Sequence, residues 1–120
     1  MKNLAREFEK YTKLMKKYGV SISEMEKLQK DIDKGKVVLT CTHERYSKDE
    51  NGKWRREPDR SRTETATAMN YCYVITSIPV FKDKVTRKQT RYGNIPMMFE
   101  CVSWGDGSEK SKRVFKITEM

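Results

Sequence analysis

A single histidine, His43, stands two residues from Cys41 in a run of β-forming residues, so the two side chains share one face of a strand. A Cys–His pair acts as a nucleophile only when the imidazole reaches the thiol and both stay open to a substrate. Neighbours at this spacing along a strand rarely reach that geometry, and a half-buried strand histidine is the simpler expectation. Glu44 and Tyr46 lie close by but complete no recognised catalytic constellation. The chain has no glycine-rich phosphate loop, no serine in a nucleophile elbow and no paired metal-binding acid motif. No enzymatic activity is expected.

Cys41, His43, Cys72 and Cys101 would sum to three thiols and one imidazole, a donor set that zinc accepts. The close cysteine pair that usually forms a zinc knuckle is missing, however. Each cysteine falls in a run of strand formers, where a thiol packs as a small hydrophobe. Neither a metal nor a cofactor is expected.

Charge is the stronger signal. The 120 residues carry 26 Lys+Arg against 17 Asp+Glu, a formal net charge of +9. An excess of this size favours polyanionic partners, nucleic acid foremost. Three clusters hold it. Arg55, Arg56, Arg60 and Arg62 form the first, diluted by Glu57, Asp59 and Glu64. Lys82, Lys84, Arg87, Lys88 and Arg91 form the second, with only Asp83 against them, and Lys110, Lys112, Arg113 and Lys116 form the third with no acid between. Aromatics stand beside them: Trp54 next to Arg55, Tyr92 next to Arg91, and Tyr46 near a predicted turn. Flat rings beside a basic groove are what single-stranded nucleic acid needs for its bases to stack. Tyr71, Tyr73, Phe99 and Trp104 read as core instead.

The elements that must position these residues change character at Lys36. Before it, Leu4, Phe8, Tyr11, Leu14 or Met15, and Tyr18 recur at helical spacing, and Gly19 stops that helix. Ser21 and Glu24 have the spacing of a capping box, Val20 and Met25 that of a hydrophobic staple. Ile22, Met25, Leu28 and Ile32 continue the stripe to Gly35, so residues 1–35 read as a helical hairpin. After Lys36, Val37 to Tyr46 reads as a strand, Asn51-Gly52 as a tight hairpin turn, and Trp54 as the start of the return strand. Arg55 to Arg62 reads as an exposed loop or frayed edge around Pro58. Thr63 to Phe81 reads as a long central strand ended by Pro79, Lys82 to Tyr92 as a basic loop, Met97 to Trp104 as a strand, and Val114 to Ile117 as the last strand after a Gly105–Ser108 turn. The expected architecture is one α+β domain: two N-terminal helices, then an antiparallel sheet of about four strands over residues 36–120.

The N-terminal segment MKNLAREFEKYTK carries acids and lacks an apolar run, and no stretch approaches the roughly 20 apolar residues a bilayer span needs. With three widely spaced cysteines and no disulfide framework, the cytoplasm is the expected location.

The segment Phe99-Glu100-Cys101-Val102-Ser103-Trp104-Gly105, preceded by Tyr73 to Lys84 (YVITSIPVFKDK), resembles the middle strands of bacterial single-stranded DNA-binding proteins. The resemblance covers residues 37–105. It implies a partial OB-like barrel whose strand faces and loops hold an oligonucleotide.

Two functions compete on these residues. The first is a small nucleic-acid-binding accessory protein that grips single-stranded DNA or RNA. Its expected contacts are Trp54, Arg55 and Arg56, the loop residues Lys82, Lys84, Arg87, Lys88, Arg91 and Tyr92, and the third cluster. The second is a phage or mobile-element inhibitor of a host nucleoprotein complex, of the anti-CRISPR type, acting by protein–protein binding; it rests on analogy of class.

Overall fold

The computed structural model describes residues 12–76, 82–104 and 107–120, and the side chains of Thr12, Leu14, Thr76, Lys82, Asp83, Cys101, Val102, Ser103 and Trp104 are not among the described groups. Leu4, Phe8, Tyr11, Pro79 and Gly105 lie outside the described residues. Among the described residues three α-helices, α1 (Thr12–Lys17), α2 (Ile22–Asp33) and α3 (Ala68–Thr76), and a 3-10 turn (Pro58–Arg60) accompany six strands: β1 (Val37–Lys48), β2 (Trp54–Arg56), β3 (Arg62–Ala66), β4 (Lys82–Thr90), β5 (Gly93–Trp104) and β6 (Glu109–Glu119). None of the described helices is long and apolar enough to cross a membrane.

Both helical stops are set by glycine. Gly19 (φ +69°) and Gly35 (φ +72°) take the left-handed conformation, which costs a residue with a Cβ about 1–2 kcal/mol. After α1, the Gly19 N–H donates to the Lys16 carbonyl at 3.0 Å and the Val20 N–H to Met15 at 2.8 Å. After α2, the Gly35 N–H donates to Ile32 at 3.0 Å and the Lys36 N–H to Asp31 at 2.9 Å. This paired pattern closes the last carbonyls of each helix. Ser21 does stand at the N-cap of α2, but its side chain makes no capping bond; its hydroxyl lies 2.7 Å from that of Ser23 instead.

The sheet is antiparallel and open, in the order β2-β1-β6-β5-β4, with β3 also on β1. The described strands do not close into a barrel. β2 and β3 share one edge of β1, pairing with Tyr46–Lys48 and Leu39–His43 respectively. The turn between β1 and β2 is the five-residue loop Asp49–Lys53 rather than a two-residue Asn-Gly turn. It is built on Asp49, whose carboxylate accepts from the N–H groups of Asn51 at 2.8 Å and Lys53 at 2.9 Å.

Two expectations are corrected. Thr63 to Phe81 is not one strand, because β3 ends at Ala66 and α3 follows at once. Thr67 caps α3: the Asn70 N–H donates to its hydroxyl at 3.1 Å, and the Thr67 N–H donates back to the Asn70 side chain at 3.1 Å. Ala68, Tyr71, Cys72 and Ile75 then recur at helical spacing, and all four are buried. Burial of that stripe overrides the strand preference of Tyr, Val, Ile and Thr. The basic segment Lys82–Thr90 is likewise an edge strand, not a loop. Its lysines suit an edge, since charge there discourages pairing with another chain.

The helices cover one face of the sheet. Val37, Leu39, Phe99 and Phe115 point into them and meet Met25, Leu28, Tyr71 and Ile75. Phe115 sits edge-on to Tyr71 at 5.0 Å and to Phe99 at 6.0 Å between ring centroids. The Tyr71 hydroxyl donates to the Pro96 carbonyl at 2.5 Å, so the core's largest polar group is satisfied. The opposite face carries Val38, Thr40, Thr42, Glu44 and Tyr46 of β1 with Lys110, Lys112, Val114 and Lys116 of β6, and none of these is buried.

Candidate nucleic-acid interface

Alternation along the strands decides which cations meet on that open face. On β6, Lys110, Lys112 and Lys116 face outward with Tyr46, Glu44 and Thr40 of β1 as cross-strand partners. Arg113 is one residue out of step. It pairs with His43 on β1 and Phe99 on β5, on the helical side.

The middle row of the open face alternates in charge. Lys84 on β4 faces Glu100 on β5, Glu100 faces Lys112 on β6, and Lys112 faces Glu44 on β1. Opposite charges in direct register attract, so this row is close to neutral. The neighbouring rows are not: Arg56, Tyr46 and Lys110 form one, and Trp54 with Lys48 forms the next. The Lys110 ammonium lies 4.8 Å from the Trp54 ring centroid and 5.4 Å from that of Tyr46, and Lys48 lies 5.2 Å from Trp54. Cations over ring faces at such distances are held by the ring quadrupole. Tyr46 also donates its hydroxyl to Glu44, and that bond, with lesser contributions from burial and the carboxylate charge, pushes its pKa up to about 12. The tyrosine is thereby oriented.

Arg55, Arg87, Arg91 and Tyr92 are engaged elsewhere. Arg55 points to the other face and pairs with Asp49 at 2.9 Å. Arg87 braces the helices: its guanidinium donates to the Tyr18 carbonyl at 2.6 Å and also to that of Asn94. Arg91 pairs with Glu119 at 3.2 Å. Tyr92 is a core residue, 1% exposed, with its hydroxyl donating to Asp31 at 2.5 Å. No base could stack on it. Lys88 lies at the end of β4, beside a cleft between β5 and β6. Of the expected set, the structure therefore brings together Trp54, Arg56, Lys110, Lys112, Lys116 and Lys84. It adds Lys48 and gives Tyr46 a central place. Lys48 was legible as the residue two past Tyr46, hence on the same face.

His43 and Cys41 share the helical face of β1. His43 has its pKa lowered to about 4, by burial first and then by Arg113, Arg45 and Arg62. Burial raises the thiol pKa of Cys41 and pushes that of Cys72 up to about 12, the reverse of what an activated thiolate requires. Among the described residues no three of His, Cys, Asp and Glu converge to hold a metal.

No protein-family model, curated protein or solved structure matches this chain.

Proposed function

We propose that the protein binds single-stranded nucleic acid, DNA or RNA, across the open face of its sheet. The site centres on Trp54 and Tyr46, with Arg56, Lys48 and Lys110 around them and Lys116 further along the face. The observation that carries this reading is the cluster itself: two aromatic rings on the face that no described helix covers, with two lysines over them and an arginine in the next register. A strand laid here would stack bases on the rings and place phosphates on the displaced ammonium groups. The near-neutral Lys84–Glu100–Lys112–Glu44 row moves the site toward β2 and away from β4. Among the described residues this face presents no groove-filling helix or ribbon to a duplex, which favours single strands.

The test is binding of a fluorescent single-stranded oligonucleotide, followed by anisotropy, to the native protein and to Trp54→Ala. Base stacking contributes about 1–3 kcal/mol per base, so the variant should bind about fivefold to 150-fold more weakly. Failure of the native protein to bind any oligonucleotide at low salt defeats the proposal.

A further inference from the structure

The sheet divides into two ribbons. β5 and β6 pair from Trp104↔Glu109 to Met98↔Val114 and no further. Beyond that point β5 stays with β4 as far as Gly93↔Thr90, while β6 stays with β1 as far as Glu119↔Val37. Between the ribbons opens a cleft of about 480 Å³, with its apex at Met98 and Val114. The Arg91–Glu119 ion pair joins the ribbons at the far end, and the bond from Tyr92 to Asp31 ties the β4–β5 turn to α2.

The cleft wall is chemically two-sided. Met97, Phe115 and Ile117 supply apolar surface, and Lys88, Arg91 and Lys116 bring positive charge, against one acid, Glu119. Gln89, with an amide that both donates and accepts, also lines it. An apolar pocket with a few convergent polar groups is the usual form of a small-ligand site. Here the ligand must be flat or slender, partly apolar and anionic at one end.

We infer that this cleft takes a single nucleoside 5′-phosphate, its base between Met97 and Ile117, its base edge toward Gln89 and its phosphate on Lys88 and Lys116. Lys116 also belongs to the open face, so a strand lying there could turn one base into the cleft; that link rests on the proposed function, whereas the cleft's own chemistry does not. The occupant follows from complementarity: the cationic rim calls for phosphate, and the amide of Gln89, whose nitrogen donates to the Thr90 carbonyl at 3.3 Å, keeps its oxygen and second N–H for a hydrogen-bonding base edge. A fatty-acid chain would satisfy the first requirement and leave the second unused.

Two groups report on the two surfaces, the Met97 methyl in the cleft and the Trp54 indole N–H on the open face. With methyl-labelled methionine, AMP titrated to about 10 mM, the affinity range of a weak mononucleotide site, should shift the Met97 methyl to saturation. Lys88→Gln should raise the AMP dissociation constant several-fold. An unmoved Met97 methyl overturns the inference, as does an equal shift with inorganic phosphate alone or a saturable shift with decanoate but not with AMP. A single-stranded oligonucleotide separates the two proposals. If it moves the Trp54 indole N–H while AMP leaves Met97 unmoved, the cleft assignment fails and the open face stands. If AMP moves Met97 and no oligonucleotide binds, the converse holds.

Discussion

Changing Lys48, Arg56 and Lys110 together to glutamine removes three positive charges from the rows around Trp54 and Tyr46. With Lys116 they make four cations outside the charge-alternating row. Contacts to single-stranded nucleic acid release counterions with a slope of about −0.7 per phosphate in log K against log salt, so four contacts set a slope near −3 and the triple variant one near −1. On the same relation the variant should bind roughly 500-fold more weakly at about 50 mM salt, a gap narrowing to roughly tenfold at about 300 mM. The control is Lys27, Lys30 and Lys34 changed to glutamine. These three are exposed on and just after α2, on the helical side, and their loss changes the net charge equally. Fluorescence anisotropy across a salt series reads both slopes. The control should keep the native slope. If both triple variants lose slope equally, binding follows net charge rather than this face, and the reasoning is refuted.

Three further outcomes follow from the geometry. Gly19→Ala should cost about 2 kcal/mol, because its φ is +69° and the new Cβ would lie 2.7 Å from the Arg87 Nη2; Gly35→Ala, with open space around it, should cost about 1 kcal/mol, and equal urea midpoints would remove Arg87 from its bracing role. His43, the only histidine, should titrate near pH 4 in its single imidazole resonance, against about 6.5 unfolded. Since the unfolded chain then binds more protons, stability should fall as pH drops from about 6.5 toward 4 and this fall should flatten in His43→Gln; a midpoint at or above 6.5 contradicts the burial and arginine argument. The Cys72 thiol, buried and raised to about 12, should resist maleimide under native conditions and react only on unfolding, whereas native labelling as fast as in urea would show that α3 does not pack as described.

Part of this structure was legible because single residue types dictate it. Gly19 and Gly35 end helices since only glycine takes the left-handed turn cheaply, and the run from Val37 announces β1 by its β-branched density. α3 was misread for the same reason in reverse: its tyrosines, Val74 and Ile75 favour strands, and the opposing signals were the 68, 71, 72, 75 spacing and the Thr67–Asn70 cap. β4 was hidden because an edge strand needs no apolar alternation. The site was half legible. Counting charge along the chain groups Lys112 with Arg113, yet the strand period of two sends them to opposite faces. Tyr92 and Arg87 looked like ligand contacts beside other basic residues, while their partners, Asp31 and the Tyr18 carbonyl, are distant in sequence and visible only once the chain is folded.

On the proposed function one sheet face, and not the helical side, meets nucleic acid. Backbone amide shifts in a 15N–1H spectrum, recorded during titration with a short single-stranded oligonucleotide, test it most directly. Shifts should concentrate on Tyr46, Lys48, Trp54, Arg56 and Lys110, together with the Trp54 indole N–H, and spare α2 from Glu24 to Lys30. Shifts centred on α2, or none at saturating oligonucleotide, would contradict it.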